Sequence, residues 1–340
     1  MQLTHHRYEP RKQIMDVPTW LWAVFGAILT ASLVVDLVLH RGPHVIGFRE
    51  ALRWSVFWVG LSLLFAVLVA VAVGPTASVE FTTAWLLEKS LSVDNLFVFA
   101  LIFGYFNVPR EYQHRVLFLG VLGALVFRAI FLLLGIAVVQ RFTVVLFAFA
   151  AILLYSAYKL LKDDEETYDP GKSTAVRLVR KFIPVQEEYS GTHFFVRSAG
   201  KWVATPLLIV VAAIEAADIV FAVDSVPAVL AVSSEPLIVY SSVAFAILGL
   251  RALYFLLSGM LERFHYLSTG LAIILAFIGV KLMLQAAHKT ISTAVPEVPS
   301  PVSLAVIVVV LTVSVVLSIR RPLPEQPAQP DSLGATEKPD

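Results

Sequence analysis

Apolar residues fall along the chain in nine blocks, at about 18–39, 53–73, 79–105, 116–139, 142–161, 204–232, 237–260, 265–286 and 302–319. Each is long enough to cross a bilayer as a helix, because about 20 residues span ~30 Å of hydrocarbon. Polar segments separate the blocks, and only 162–203 is long. The pattern predicts an all-α polytopic membrane protein with an extracytoplasmic segment at 1–17, a transmembrane domain at 18–319, a cytoplasmic loop at 162–203 and a disordered cytoplasmic tail at 320–340. Trp20, Trp22, Trp54, Trp58 and Trp202 sit near block ends, where indole prefers the interface, and Trp85 alone sits mid-block. The first block is long and carries Asp36, so it is expected to remain as a span instead of leaving as a signal peptide. The long loop opens on the acidic run 163–166. An amphipathic stretch through Val176, Val179 and Phe182 follows, expected to lie on the inner leaflet, and Pro184 ends it. The tail is Pro-rich and polar, with no apolar face to bury.

Composition agrees with this pattern. Hydrophobic residues make up 58% and charged residues 15%, with mean hydropathy +0.80, whereas soluble domains run roughly 45–50% and about 25%. A net charge of +1 gives no global field for nucleic acid. The absence of cysteine excludes disulfides, thiolate metal sites, thioether haem attachment and a cysteine nucleophile. Placing the N-terminus outside puts sixteen Lys and Arg residues in cytoplasmic segments, Lys338 near the chain end not counted, against five outside. That asymmetry favours an N-out, C-in orientation, although three cations before the first block pull the other way.

The chain repeats itself. Glu88-Lys-Ser-Leu-Ser-Val-Asp94-Asn95 aligns with Asp218-Ile-Val-Phe-Ala-Val-Asp224-Ser225, Arg128-Ala-Ile-Phe with Arg251-Ala-Leu-Tyr, and the segment ending at Lys159 with that ending at Lys281. The offsets are 130, 123 and 122 residues, in the same order. The repeats run about 79–161 and 204–286. Three spans per copy is an odd number, so the second copy must enter the membrane inverted. Inverted repeats build transporters whose site lies near the midplane between copies.

The repeated residues are charged. Six acids (Asp36, Glu88, Asp94, Glu215, Asp218 and Asp224) and four cations (Lys89, Arg128, Arg251 and Lys281) lie in the spans. At about 2.5–3.5 kcal/mol each at the bilayer centre, exposure of all ten to lipid would cost roughly 25–35 kcal/mol. They must face a polar interior. One reading is a structural network in which Arg128 and Arg251 neutralise the acids. The other starts from the two negative charges left over, which suit a divalent cation, protons, or an exchange of the two. Lys159 and Lys281 lie near span ends and can snorkel. His40 lies one turn from Asp36 and reads as an interfacial cap or a proton relay, and Glu80 reads as an entrance charge. Residues six apart on a straight helix are about 240° apart around the axis. Glu88 and Asp94, or Asp218 and Asp224, therefore serve different layers unless the helices break, and Pro227 favours a break in the sixth span because it frees the carbonyl of Val223. Oxygen-only ligands suit Mn²⁺, Mg²⁺ or Ca²⁺.

The stretch Leu87–Phe99, the loop Pro109-Arg-Glu-Tyr-Gln-His-Arg115 and the stretch from Asp218 to Pro227 resemble the hallmarks of the TerC family, within the LysE-like transporter superfamily. The resemblance covers about residues 20–320. It implies a bacterial inner-membrane protein linked to manganese efflux, to metal and pH stress and, for some members, to tellurite resistance. It implies ion ligands at Glu88, Asp94, Asp218 and Asp224, with Asn95 and Ser225 beside them. Asp36, Glu215, Arg128 and Arg251 complete the expected pathway or charge network.

The leading expectation is a non-enzymatic exporter of a divalent cation, Mn²⁺ first, working by alternating access with proton coupling open. No cofactor is expected, Mn²⁺ being cargo. The expected partners are the cation and the bilayer; the sequence points to no nucleic acid and leaves protein partners open. The competing expectation is a membrane scaffold whose charges are structural and whose loop 162–203 binds partners. An intramembrane hydrolase is disfavoured, since there is no Gly-x-Gly-Asp motif and no buried Ser–His pairing.

Overall fold

The computed structural model describes residues 17–39, 46–162, 176–177, 181, 184–186, 188–198, 201–258 and 266–320. His40, the acidic run 163–166, most of the amphipathic stretch 176–182 and residues 321–340 of the tail lie outside them. The helices are α1 (Thr19–Leu39), α2 (Phe48–Ala72), α3 (Pro75–Tyr105), α4 (Arg110–Arg141), α5 (Val145–Lys162), α6 (Pro206–Leu230), α7 (Pro236–Leu248), α8 (Leu250–Leu257), α9 (Tyr266–Thr290) and α10 (Ser300–Arg320). Among the described residues, eight helices are long and apolar enough to cross a membrane, counting α7 and α8 as one. The third predicted span, α3, is 31 residues long but carries Glu80, Glu88, Lys89 and Asp94. The chain is an all-α, multi-pass membrane protein. One departure is a hairpin within 162–203, β1 (Phe195–Ser198) with β2 (Lys201–Ala204) in antiparallel register, which the hydrophobic pattern did not announce.

Local chemistry sets the helix ends. Asn107 ends α3 at φ 49°, a left-handed conformation that asparagine tolerates better than most residues. Around it, Val108 N–H donates to the Phe103 carbonyl and Asn107 N–H to that of Gly104. Those two bonds satisfy the last carbonyls of the helix. Pro75 and Pro206 open α3 and α6 at positions where a missing N–H costs nothing.

The helices α3, α6 and α7 form the centre. Packing runs α3 on α6 and α7, α4 on α6 and α7, α5 on α9, and α9 on α10. Within a bilayer the drive for such contacts is close packing, and small residues permit it. A Cβ at Gly279 of α9 would press into Leu154 of α5. On the α1–α2 side, Phe25, Phe65, Phe81 and Phe245 make an aromatic cluster, with Phe65 and Phe245 rings 4.8 Å apart. The opposite face of α2 exposes Val56, Phe57, Leu64 and Val71, the apolar surface a lipid-facing helix presents.

Two expectations about helix breaks are corrected. Pro227 does not break the sixth span: α6 is continuous to Leu230. The interruption falls instead in the seventh, at Gly249, between α7 and α8.

Candidate functional site

Because α3 and α6 are both unbroken, residues six apart on them point about 240° apart, while residues seven apart return to within about 20° of one another. On α3 that puts Asn95 on the same stripe as Glu88. On α6 it puts Ser225 on the stripe of Asp218. Both stripes meet at Arg128 of α4, which is buried. Its guanidinium pairs with the Glu88 carboxylate. It bridges Asp218 through NH2 to Oδ1 at 2.8 Å and Nε to Oδ2 at 3.4 Å. NH1 donates to Ser225 Oγ at 3.3 Å. With the Asn95 amide turned so that its nitrogen donates to the Leu91 carbonyl (3.0 Å), its oxygen accepts from Arg128 NH2 at 3.3 Å. The surrounding cavity, walled by Leu132, Val226, Val229 and Val243, leaves no space for a water molecule.

The remaining two acids of the repeated motifs lie off this stripe. Asp94 accepts a hydrogen bond from Ser268 Oγ of α9 at 3.2 Å. Asp224 lies near enough to Asp94 for the two charges to act on each other, and it also feels Arg128. Both are partly buried, and neither belongs to an ion pair among the described residues. The six predicted ligands are therefore not one cage. Glu88, Asn95, Asp218 and Ser225 surround an arginine, whereas Asp94 and Asp224 lie outside that cluster. Among the described residues no three acidic or histidine side chains gather as a metal cluster.

The rest of the charge network is placed as follows. Asp36 of α1 pairs with Arg251 of α8. Glu215, one turn before Asp218 on α6, is half-buried with its carboxylate laid over Gly123 of α4, where any Cβ would collide with it. Lys89 sends its ammonium away from Glu88, donating to the Ala246 carbonyl at 3.0 Å. That carbonyl lies in the last turn of α7, where a cation is favoured by the helix dipole. Lys281 does not snorkel: it is buried and donates to Ser303 Oγ of α10 at 3.0 Å. Lys159 is exposed, as a snorkelling lysine would be. Glu80 lies close to Ser233 and Glu235. Burial and the Glu80 charge together raise the Glu235 carboxyl above its ordinary range.

Sequence reasoning missed Ser268, whose only signal is its place opposite Asp94, and the Lys89–Gly249 contact. The seven-residue spacing of Glu88 to Asn95 and of Asp218 to Ser225 is the sequence signal that identifies the residues around Arg128.

Comparisons with known proteins bear on this geometry. Residues 73–322 match the integral membrane protein TerC family. An uncharacterized membrane protein of Myxococcus xanthus is 43% identical over 300 residues, covering 88% of this chain and 92% of that one. The putative membrane-bound redox modulator Alx of Salmonella typhi is 41% identical over 308 residues (88% and 93% covered). Its namesake in Escherichia coli strain K12 is 40% identical over 308 residues (88% and 94%). No solved structure matches.

Proposed function

The chain belongs to the integral membrane protein TerC family, and from that premise we propose that it exports a divalent metal cation, Mn²⁺ foremost, across the bacterial inner membrane. The observation that carries the reading is that two carboxylates of the repeated motifs, Asp94 and Asp224, stay outside the Arg128 cluster. They come from equivalent positions of two repeated motifs, on two helices that pack together, with the Ser268 hydroxyl alongside. Carboxylate and hydroxyl oxygens are hard ligands, matched to Mn²⁺, Mg²⁺ or Ca²⁺. Carboxylates in a bilayer core with no cation bonded to them are costly while ionised, so each favours a proton or a cation. Exchange of one for the other is proton-coupled transport.

The pairing of helices supports alternating access between inverted copies. Counting spans, α3 and α6 are equivalent, as are α4 and the α7–α8 unit, and α5 and α9. The observed contacts α3–α7 and α4–α6 are each other's images under that exchange, while α3–α6 and α5–α9 map onto themselves. Transporters built from inverted repeats carry their site between the copies, which is where this reading puts it.

The test is Mn²⁺ efflux from loaded proteoliposomes. Asp94→Asn and Asp224→Asn are each expected to abolish efflux while leaving the protein inserted. Full transport by both variants would refute the reading. A scaffold role has one observation in its favour, the neutralisation of Glu88 and Asp218 by Arg128. Under it, removal of residues 163–203 should hurt more than neutralising Asp94. The redox role printed in the relatives' names would have to run without thiols in this chain, which has no cysteine.

A further inference from the structure

The Arg128 cluster is built like a cation site that already holds a cation. Four oxygen-bearing side chains converge on the guanidinium: two carboxylates, an amide oxygen and a hydroxyl. Each comes from a repeated motif, two on α3 and two on α6, and the walls behind them are apolar and dry. The guanidinium takes two carboxylates, one from each copy, and still leaves the cluster with a net charge of minus one.

We infer that Arg128 is a tethered competitor for a divalent-cation site formed by Glu88, Asn95, Asp218 and Ser225, filling it when no ion is bound. The inference deepens the transport reading and rests on it for its physiological meaning. A carrier that returns empty would otherwise drag two bare carboxylates through the bilayer core. With the guanidinium in place, Glu88 and Asp218 need no proton for the return step, and proton exchange is left to Asp94 and Asp224. Occupancy also couples to helix spacing. The Asp218, Ser225 and Asn95 oxygens stand 2.8–3.4 Å from the guanidinium nitrogens, whereas Mn²⁺-sized hard cations bind oxygen at about 2.0–2.6 Å. Replacing the planar fork by a compact ion draws α3 and α6 together at this level. Na⁺ and K⁺, with a single charge, gain too little from two carboxylates to displace a resident guanidinium, which makes Arg128 a filter for divalent ions.

The test measures the affinity of the purified full chain in nanodiscs for Mn²⁺, by calorimetry and by Mn²⁺-dependent thermal shift, for wild type and Arg128→Gln. A resident competitor raises the apparent Kd of its site, so the variant is expected to bind Mn²⁺ there at least about tenfold more tightly than wild type, and adding Glu88→Gln should abolish the gain. Equal affinities in wild type and variant overturn the inference. If Arg128→Gln does not fold, Arg128→Lys carries the test. A single ammonium cannot satisfy both carboxylates as the planar fork does, so a smaller gain is expected, and its absence overturns the inference equally. The two readings fail separately. A gain in Arg128→Gln with Asp94→Asn and Asp224→Asn still transporting would support the competitor and sink transport through Asp94 and Asp224. Loss of efflux in those two variants with no gain from either Arg128 variant would do the reverse.

Discussion

Replacing Gly249 by alanine asks whether the break in the seventh span is built around the Lys89 ammonium. A Cβ there would lie 2.6 Å from Lys89 Nζ and 3.1 Å from Trp58 Cβ. Trp58 has to give by a few tenths of an ångström. The ammonium has to leave, and with it goes the 3.0 Å bond to the Ala246 carbonyl. A hydrogen bond from a charged donor contributes about 1.5–3 kcal/mol. Alanine's better helix propensity returns about 1 kcal/mol, and the backbone at φ −83°, ψ 0° accepts alanine without strain. The expected net loss is about 0.5–2 kcal/mol. In a Lys89→Met background there is no ammonium to displace, and Gly249→Ala should become neutral or mildly stabilising. The double-mutant cycle should therefore show a coupling of about 1.5–3 kcal/mol, read from reversible SDS unfolding in mixed micelles. Additivity within about 0.5 kcal/mol would mean that the ammonium and the break are independent, and the account of this contact would be wrong.

Other outcomes follow from the same geometry. Asp36→Asn should cost about 3–5 kcal/mol by leaving Arg251 without its carboxylate, and Asp36→Leu with Arg251→Met should recover most of that in the same unfolding assay. Gly123→Ala should expel the Glu215 carboxylate from its seat and cost about 1–3 kcal/mol, a loss that Glu215→Ala should relieve. Asn107→Gly should be nearly silent, whereas Asn107→Val should lose about 1–2 kcal/mol because a β-branched residue resists positive φ. Tyr189 donates to the Phe106 carbonyl at 2.7 Å, and burial pushes its hydroxyl up to about 12. An acid whose folded value is raised keeps its proton longer when folded, so its contribution is complete below about pH 10 and is lost as pH rises toward about 12. Tyr189→Phe should flatten that limb of a stability–pH curve, and an unchanged limb would assign it to another group.

Much of the fold was legible because lipid imposes a coarse rule. A span must be apolar and about 20 residues long, so the helices fall where the blocks lie. The gaps in that legibility have identifiable causes. Gly249 carries no signal in an apolar run, since glycine is common in membrane helices, and its role exists only because Lys89 arrives from α3. Pro227 announced a break that α6 does not make: a proline removes one hydrogen bond but need not end a helix held on both sides by neighbours. The hairpin at 195–204 is too short for a two-residue alternation to stand out.

The site shows the same division between pattern and partner. That the acids face a polar interior follows from the cost of charge in lipid, and that Arg128 neutralises some of them follows from counting. Which ones it neutralises depends on phase. Read as six-residue pairs, the motifs place four acids around one ion only if two helices break. Read as seven-residue pairs, they place Glu88 with Asn95 and Asp218 with Ser225 on unbroken helices, facing one arginine. The periodicity of a straight helix favours the second reading without any coordinates, and it leaves Asp94 and Asp224 as the carboxylates with no guanidinium bonded to them. What periodicity cannot supply is the third helix: that α4 brings Arg128 between the stripes, and that α9 brings Ser268 to Asp94, depends on packing between spans far apart in the chain. The motif therefore carries two chemistries in adjacent residues, a guanidinium-filled pocket at one phase and carboxylates with no guanidinium bonded to them at the next, and a rotation of α3 or α6 by about 100°, one residue of helical phase, would exchange which of them faces the centre.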